Sequence, residues 1–332
     1  MSAVVEYDNG PWRVILDTTT GTKTRMRALA TDSAPMQPET FDLKVTDFCN
    51  AGCKWCHEDS TVRGAHAALE PLQEALSVLR PGFEVAIGGG DPISWPSLED
   101  FLLWVWTRGG FANITVNGAH IKRAAPRLRE WQAASILHGI GVSAASAGLE
   151  RRDFNLEGVP GLKNIVGHVI LGRTEARCLE SMSSWGRRSY RAAHEQDQYL
   201  SHYLLLGSKR FGRGVRNFVE HEKPSSWSKE PYLTPPMEVN LFLRVFSQLG
   251  IGLSFDNLAL EQGQVKAQVK PDIWDQYYMG EDGAFSMYVD GVKQQWAVTS
   301  TTPLSARVNW RSADMLGFFN AGRLYSSEGT EP

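Results

Sequence analysis

The sequence predicts an α/β fold on three observations: strands and helices alternate along the middle of the chain, three cysteines cluster after the first of those strands, and a glycine-rich segment ends the second. Strands separated by helices in this rhythm pair in parallel, and right-handed crossovers roll such a sheet into a barrel or part of one. With 332 residues, 42% hydrophobic and 21% charged, the chain has the apolar material for one sizeable core with short additions.

Residues 1–40 read as an N-terminal hairpin and linker. Trp12 to Asp17 is β-rich, Gly21 marks a turn, Lys23 to Met26 returns, and Pro35 and Pro38 punctuate the linker. The core domain is expected over residues 41–260. Its first strand, Phe41 to Thr46, delivers the cysteine loop, and the helix after it carries Leu72, Leu76 and Leu79 on one face before Pro81-Gly82. Phe83 to Ile87 is a second strand, and Leu98, Phe101, Leu102 and Val105 follow at i, i+3, i+4 and i+7. Asn113 to Val116 and Ile140 to Ala144 are the third and fourth strands, flanking a basic helix from Ile121 to Trp131 expected on the solvated outer face. Lys163 to Leu171 and His202 to Leu206 supply the fifth and sixth, with a helical segment Glu175 to Met182 between them.

Pro235-Pro236 then opens a helix carrying Val239, Phe242, Leu243 and Phe246, with Gly250 at its C-terminal cap, and Ser254 to Leu258 reads as a further strand. Residues 261–332 are expected to form an α+β extension capping the barrel: a hairpin of Phe285 to Tyr288 and Trp296 to Val298, turning at Asp290-Gly291, and a last helix near Ala313 to Phe319.

The net charge of −3, from 34 basic and 37 acidic residues, lacks the positive field of a dedicated nucleic-acid binder. No signal-peptide pattern opens the chain, and the apolar stretch Phe101 to Trp106 is too short to cross a bilayer, so a cytoplasmic protein without membrane contact is expected.

Cys49-Asn-Ala-Gly-Cys53-Lys-Trp-Cys56 is a C-x3-C-x2-C spacing, whereas the fourth cysteine, Cys178, stands alone and reads as a small buried hydrophobe. Three thiolates on so short a loop can ligate three irons of a cubane and leave the fourth iron without a protein ligand. A structural zinc ion, the rival reading, needs four converging ligands, and His57, next to Cys56, is badly placed to supply the fourth.

Over roughly residues 41–214 the sequence resembles the radical S-adenosylmethionine superfamily, which shares this cysteine spacing and commonly has an aromatic residue where Trp55 stands. The resemblance implies an incomplete (βα)6 TIM-like barrel holding one 4Fe-4S cluster on Cys49, Cys53 and Cys56. It further implies S-adenosylmethionine on the open iron, reductive cleavage to a 5′-deoxyadenosyl radical, hydrogen abstraction from substrate, and an electron donor such as flavodoxin or ferredoxin. Gly89-Gly90-Asp91-Pro92 resembles the family's Gly-Gly-Glu-Pro segment, with Asp91 one methylene shorter, and Asn117 and Ser143 fall where polar cofactor contacts occur. His168 to Glu175 partly matches a further family pattern.

Catalysis is then expected from the cluster and cofactor, with no protein acid or base beyond the cluster ligands. Lys209, Arg210 and Arg213, with Arg216, follow the sixth strand and suggest a small-molecule substrate of anionic, nucleotide-like chemistry. Peptide or protein modification is the alternative, and a non-catalytic iron-sulfur protein is a third reading. The stretch Gly280 to Gly291 resembles the hairpin of a Cys-rich auxiliary-cluster extension, but no cysteine follows Cys178, which argues against auxiliary clusters.

Overall fold

A computed structural model describes residues 4–17, 23–27, 34–143, 161–172, 200–215, 233–249 and 252–327. The expected helix at 175–182, the cap at Gly250, and Cys178 and Arg216 lie outside these described residues.

Among the described residues the central sheet has ten strands in the order β10-β9-β8-β7-β6-β5-β4-β11-β12-β13. Its parallel run is β4 (Thr40–Thr46), β5 (Glu84–Gly89), β6 (Phe111–Asn117), β7 (Gly139–Ser143), β8 (Ile165–Ile170), β9 (Leu200–Leu206) and β10 (Gly252–Phe255). Helices α1 (Leu69–Leu76), α2 (Leu98–Thr107) and α3 (Ile121–Ala133) follow β4, β5 and β6. Period-2 alternation sorts the strand faces: Phe41, Leu43, Val45, Val85, Ile87, Ile114, Val116, Ile140 and Val142 are buried in one core with Leu72, Leu76, Leu98, Phe101, Leu102, Val105 and Leu128 of the helices. Each such fully buried side chain contributes about 1.5–3 kcal/mol of transfer free energy. A second core joins Tyr203 and Leu205 of β9 to Val239, Phe242 and Phe246 of α4 (Pro235–Leu249).

The other strand face lines a common cavity that residues of both β4 and β10 reach, so the sheet curls into the expected incomplete barrel. The strand expected at Ser254 to Leu258 is β10, and it stops at Phe255. Asp256 then caps α5 (Asn257–Gln262), its carboxylate accepting from the Ala259 amide at 2.7 Å. Helices α6 (Val265–Gln268) and α7 (Pro271–Tyr277) follow.

The C-terminal hairpin forms as β11 (Ser286–Asp290) and β12 (Gln295–Ala297), and the short β13 (Val308–Asn309) precedes α8 (Met315–Ser327). Instead of merely covering the barrel, β11 pairs in parallel with β4, Asp290 beside Lys44, so the tail extends the main sheet. The N-terminal unit has three antiparallel strands, β1 (Val4–Asn9), β2 (Trp12–Asp17) and β3 (Lys23–Arg27), one more than expected. It docks where β4 and β5 begin. Arg25 pairs with buried Glu39 at 2.8 Å, Lys23 pairs with Glu84, and Asn9 donates to the Gln37 carbonyl at 3.0 Å.

Candidate active site

The cysteine loop begins where β4 ends, at the mouth formed by the C-terminal ends of the parallel strands. Backbone bonds fold it back on itself, from the Cys49 amide to Thr61 O at 2.9 Å and from the Asp47 amide to Ala65 O at 2.8 Å. The side chains of Cys49, Cys53 and Cys56 are half-buried and in no disulfide among the described residues, and Trp55 between them is half-buried as well. Burial pushes the Cys49 and Cys53 thiols up; the Ala51 amide opposes this at Cys49, the Asn117 amide opposes it at Cys53, and Arg213 opposes it at both. Asn117 Nδ2 donates to Cys53 Sγ at 3.1 Å, which places this predicted cofactor contact against a cysteine ligand.

The basic loop after β9 divides into separate tasks. Arg213 grips the cysteine loop: Nε donates to Cys53 O at 3.0 Å, Nη1 to Ser60 O and Asp59 Oδ1 at 2.9 Å each, and its own amide to Cys56 O at 3.0 Å. Gly212 makes the approach feasible, because a Cβ there would lie 2.6 Å from His57 O at a φ of +53°. Lys209 instead lines the cavity and donates to Ser300 Oγ at 2.8 Å, while Arg210 is exposed. The cluster expected to hold an anion is thus divided, with its most engaged guanidinium serving as a brace.

Gly89-Gly90-Asp91 is stitched to the start of the cysteine loop by Gly90 N to Thr46 O and Asp91 N to Phe48 O, both 2.7 Å. A Cβ on Gly90 would meet Phe48 O at 2.2 Å, whereas one on Gly88 would meet nothing within 4 Å because Gly88 faces the cavity. The Asp91 carboxylate is buried. Its Oδ2 accepts from Arg123 at 2.7 Å and from Ser94 Oγ at 2.9 Å, with His120 Nδ1 at 3.2 Å, while Oδ1 is buried with no hydrogen-bond partner among the described residues. Arg123 stays exposed on the basic helix expected to be solvated, and only its guanidinium tip reaches in to Asp91.

The cavity has a volume of about 570 Å³ and runs down the barrel from the mouth, with Ser143 on its wall. Below the cysteine loop lies a charged network that sequence reading missed. Lys44, 4% exposed, reaches Asp47 at 2.6 Å, Glu58 at 2.8 Å and Asp290 at 3.5 Å, while Tyr288 donates to Glu58 at 3.1 Å and Arg307 meets Asp290 at 3.3 Å. Burial alone would raise the Glu58 pKa, but His57 and Lys44 more than offset it and hold the carboxyl well below its ordinary range. Burial also lowers the His57 pKa, with Glu58 opposing the fall, while Lys44 supplies a compensating positive charge. The legible signal was the alternation of β4, whose apolar Phe41, Leu43 and Val45 leave Asp42 and Lys44 facing inward.

The donor set and its surroundings fit the cluster and cofactor implied by the sequence resemblance. Three thiols share one loop, Gly88 leaves open space, and Asp91 Oδ1 offers an orphaned buried acceptor suited to an ammonium. Among the described residues, no three His, Cys, Asp or Glu side chains are gathered as a single-ion site requires. No helix among them is long and apolar enough to cross a membrane.

Fold and site together define an open α/β barrel with a three-cysteine loop at its C-terminal mouth. Solved structures of SuiB from Streptococcus suis share this fold across nearly the whole chain. The S-adenosylmethionine-bound form has a TM-score of 0.62 at 11% identity, covering 98% of this chain and 89% of SuiB. The form bound to its precursor peptide SuiA has a TM-score of 0.64 at 9% identity, covering 99% and 90%. No protein-family model and no curated protein matches the sequence.

Proposed function

We propose that the chain is a radical S-adenosylmethionine enzyme acting on a peptide. The observation that carries this reading is the meeting of the three-cysteine loop, the Gly88–Asp91 strand end and one deep cavity at the same barrel mouth. Cys49, Cys53 and Cys56 would hold the cluster; Gly88 to Asp91, Asn117 and Ser143 would surround the cofactor. When bound, the reduced cluster and S-adenosylmethionine together supply a 5′-deoxyadenosyl radical that abstracts hydrogen from substrate.

The chain's own residues then position and shield. Arg213 and Asn117 fix the cysteine loop, and the barrel wall keeps water from the reacting groups. An electron donor of the flavodoxin or ferredoxin kind is implied.

The peptide reading is favoured over a small anionic substrate for two reasons. Arg213 is engaged by the cysteine loop and Lys209 by Ser300, which weakens the basis for an anion site. SuiB, whose fold the chain shares end to end, was solved with its precursor peptide SuiA. The test is to reconstitute the chain anaerobically with iron and sulfide, reduce it with dithionite, and compare 5′-deoxyadenosine yield with random-sequence peptides against nucleotides. Stimulation and a changed peptide mass are expected with peptides; stimulation by nucleotides alone would reverse the assignment.

A further inference from the structure

Asp42 lies on the inward face of β4 at the level of Tyr288 on β11, Ala86 on β5 and Asn113 on β6, to which the strand register connects it. Strand rise is ~3.3 Å per residue, so Asp42 stands ~13 Å along β4 below Thr46, where the cysteine loop begins. Barrels of this kind ordinarily fill that depth with branched side chains. Here Ala86 and Gly88 leave interior space on the cavity that Asp42 also lines, while the Asn113 amide and the His168 ring pack over Gly139 and Gly141.

The Asp42 side chain is exposed and lines this cavity. Among the described residues no hydrogen bond or ion pair engages its carboxylate. The lysines of the cavity wall are committed elsewhere, Lys44 to Asp47, Glu58 and Asp290, and Lys209 to Ser300. The histidines His57, His138 and His168 and the carboxylates Glu58 and Glu84 also line the wall, and burial lowers the pKa of His138. Burial is the largest influence on Asp42 itself and raises its pKa; Lys209 and His57 oppose the rise, and Asp256 and Asp282 add to it. A carboxylate that lines a cavity with no partner among the described residues is poorly explained by stability, because no cation of the fold pairs with its charge.

We propose that Asp42 is the floor of a receptor for a cationic group, an ammonium or guanidinium on a long thin stem that descends the barrel and pairs with its carboxylate. This rests on the peptide reading for its natural occupant, a lysine or arginine side chain, but the receptor chemistry stands on the cavity alone. Depth selects the stem and the missing partner selects the charge.

The test is calorimetric titration of the full reconstituted chain with n-butylguanidinium, against neutral N-butylurea, at matched sodium chloride concentration. Saturable binding of the guanidinium is expected, at least ~10-fold tighter than the urea, and Asp42→Asn is expected to weaken it by at least ~10-fold. The same variant should melt at an equal or higher temperature than the parent, since it removes a charge that the fold does not pair, and this separates a binding role from a structural one. Equal binding of the urea, equal binding by Asp42→Asn, or abolition by sodium alone would overturn the proposal. Failure of the unaltered chain to cleave S-adenosylmethionine, with guanidinium binding intact, would instead overturn the enzymatic reading and leave the receptor standing.

Discussion

Arg213 Nε donates to the carbonyl of Cys53 at 3.0 Å, tying a loop after β9 to a loop after β4 although five strand pairings separate those two strands in the sheet. The bond spans the barrel mouth, and the same guanidinium also reaches Ser60 O and Asp59. Arg213→Ala leaves carbonyl acceptors without their charged donor, at a cost of roughly 1–3 kcal/mol. The expected outcome is a lower melting temperature and iron occupancy below the parent's after reconstitution. Arg213→Lys keeps charge but cannot reproduce the fork of contacts, so only partial recovery is expected. Full iron loading in Arg213→Ala would show that the brace is dispensable.

Two glycines, Gly88 in β5 and Gly90 just past its end, should behave oppositely. Gly90→Ala forces a Cβ to 2.2 Å from Phe48 O, a backbone clash that should cost about 1–3 kcal/mol and disturb the start of the cysteine loop. Gly88→Val enters open cavity space, so its melting temperature should stay close to the parent's while S-adenosylmethionine affinity falls. Thermal melts paired with cofactor-binding titrations check both, and equal destabilisation by the two substitutions would contradict the assignment.

The cysteine spacing and the strand-helix rhythm were legible because both are local: a loop displays its ligands within eight positions, and helix stripes such as Leu98, Phe101, Leu102 and Val105 repeat at a fixed period. The pairing of β11 with β4 was not legible, since it joins Asp290 to Lys44 across most of the chain and local pattern carries no record of such a partner. Arg213 and Asp42 show the same limit. A basic run reads alike whether it grips a loop or meets solvent, and a charged residue alternating with Phe41 and Leu43 reads as outward-facing until the strand is known to curl around a cavity.

Lys44 is the hub of the buried network and its removal should be severe. Lys44→Met strands Glu58 and Asp47 without their cation, leaving Arg307 only for Asp290, at a cost of about 3–5 kcal/mol. Chemical denaturation would measure it, and a loss within experimental error would show that the network contributes nothing.

The pH dependence follows from Glu58. Its folded-state pKa is depressed, so the stability it contributes is present above its unfolded value of ~4.3 and is lost as pH falls through the folded one. Denaturation midpoints of the parent should fall on acidification below that value, and those of Glu58→Gln should fall less steeply. Parallel pH profiles for the two would contradict the sign.

The most direct test of the central claim is anaerobic chromatography for 5′-deoxyadenosine after reconstitution with iron and sulfide, reduction, and addition of S-adenosylmethionine, with Cys53→Ala alongside. The account predicts 5′-deoxyadenosine and methionine in equal amounts from the parent and neither from the variant. A fully loaded four-iron parent that leaves S-adenosylmethionine intact under every reductant tried would contradict it.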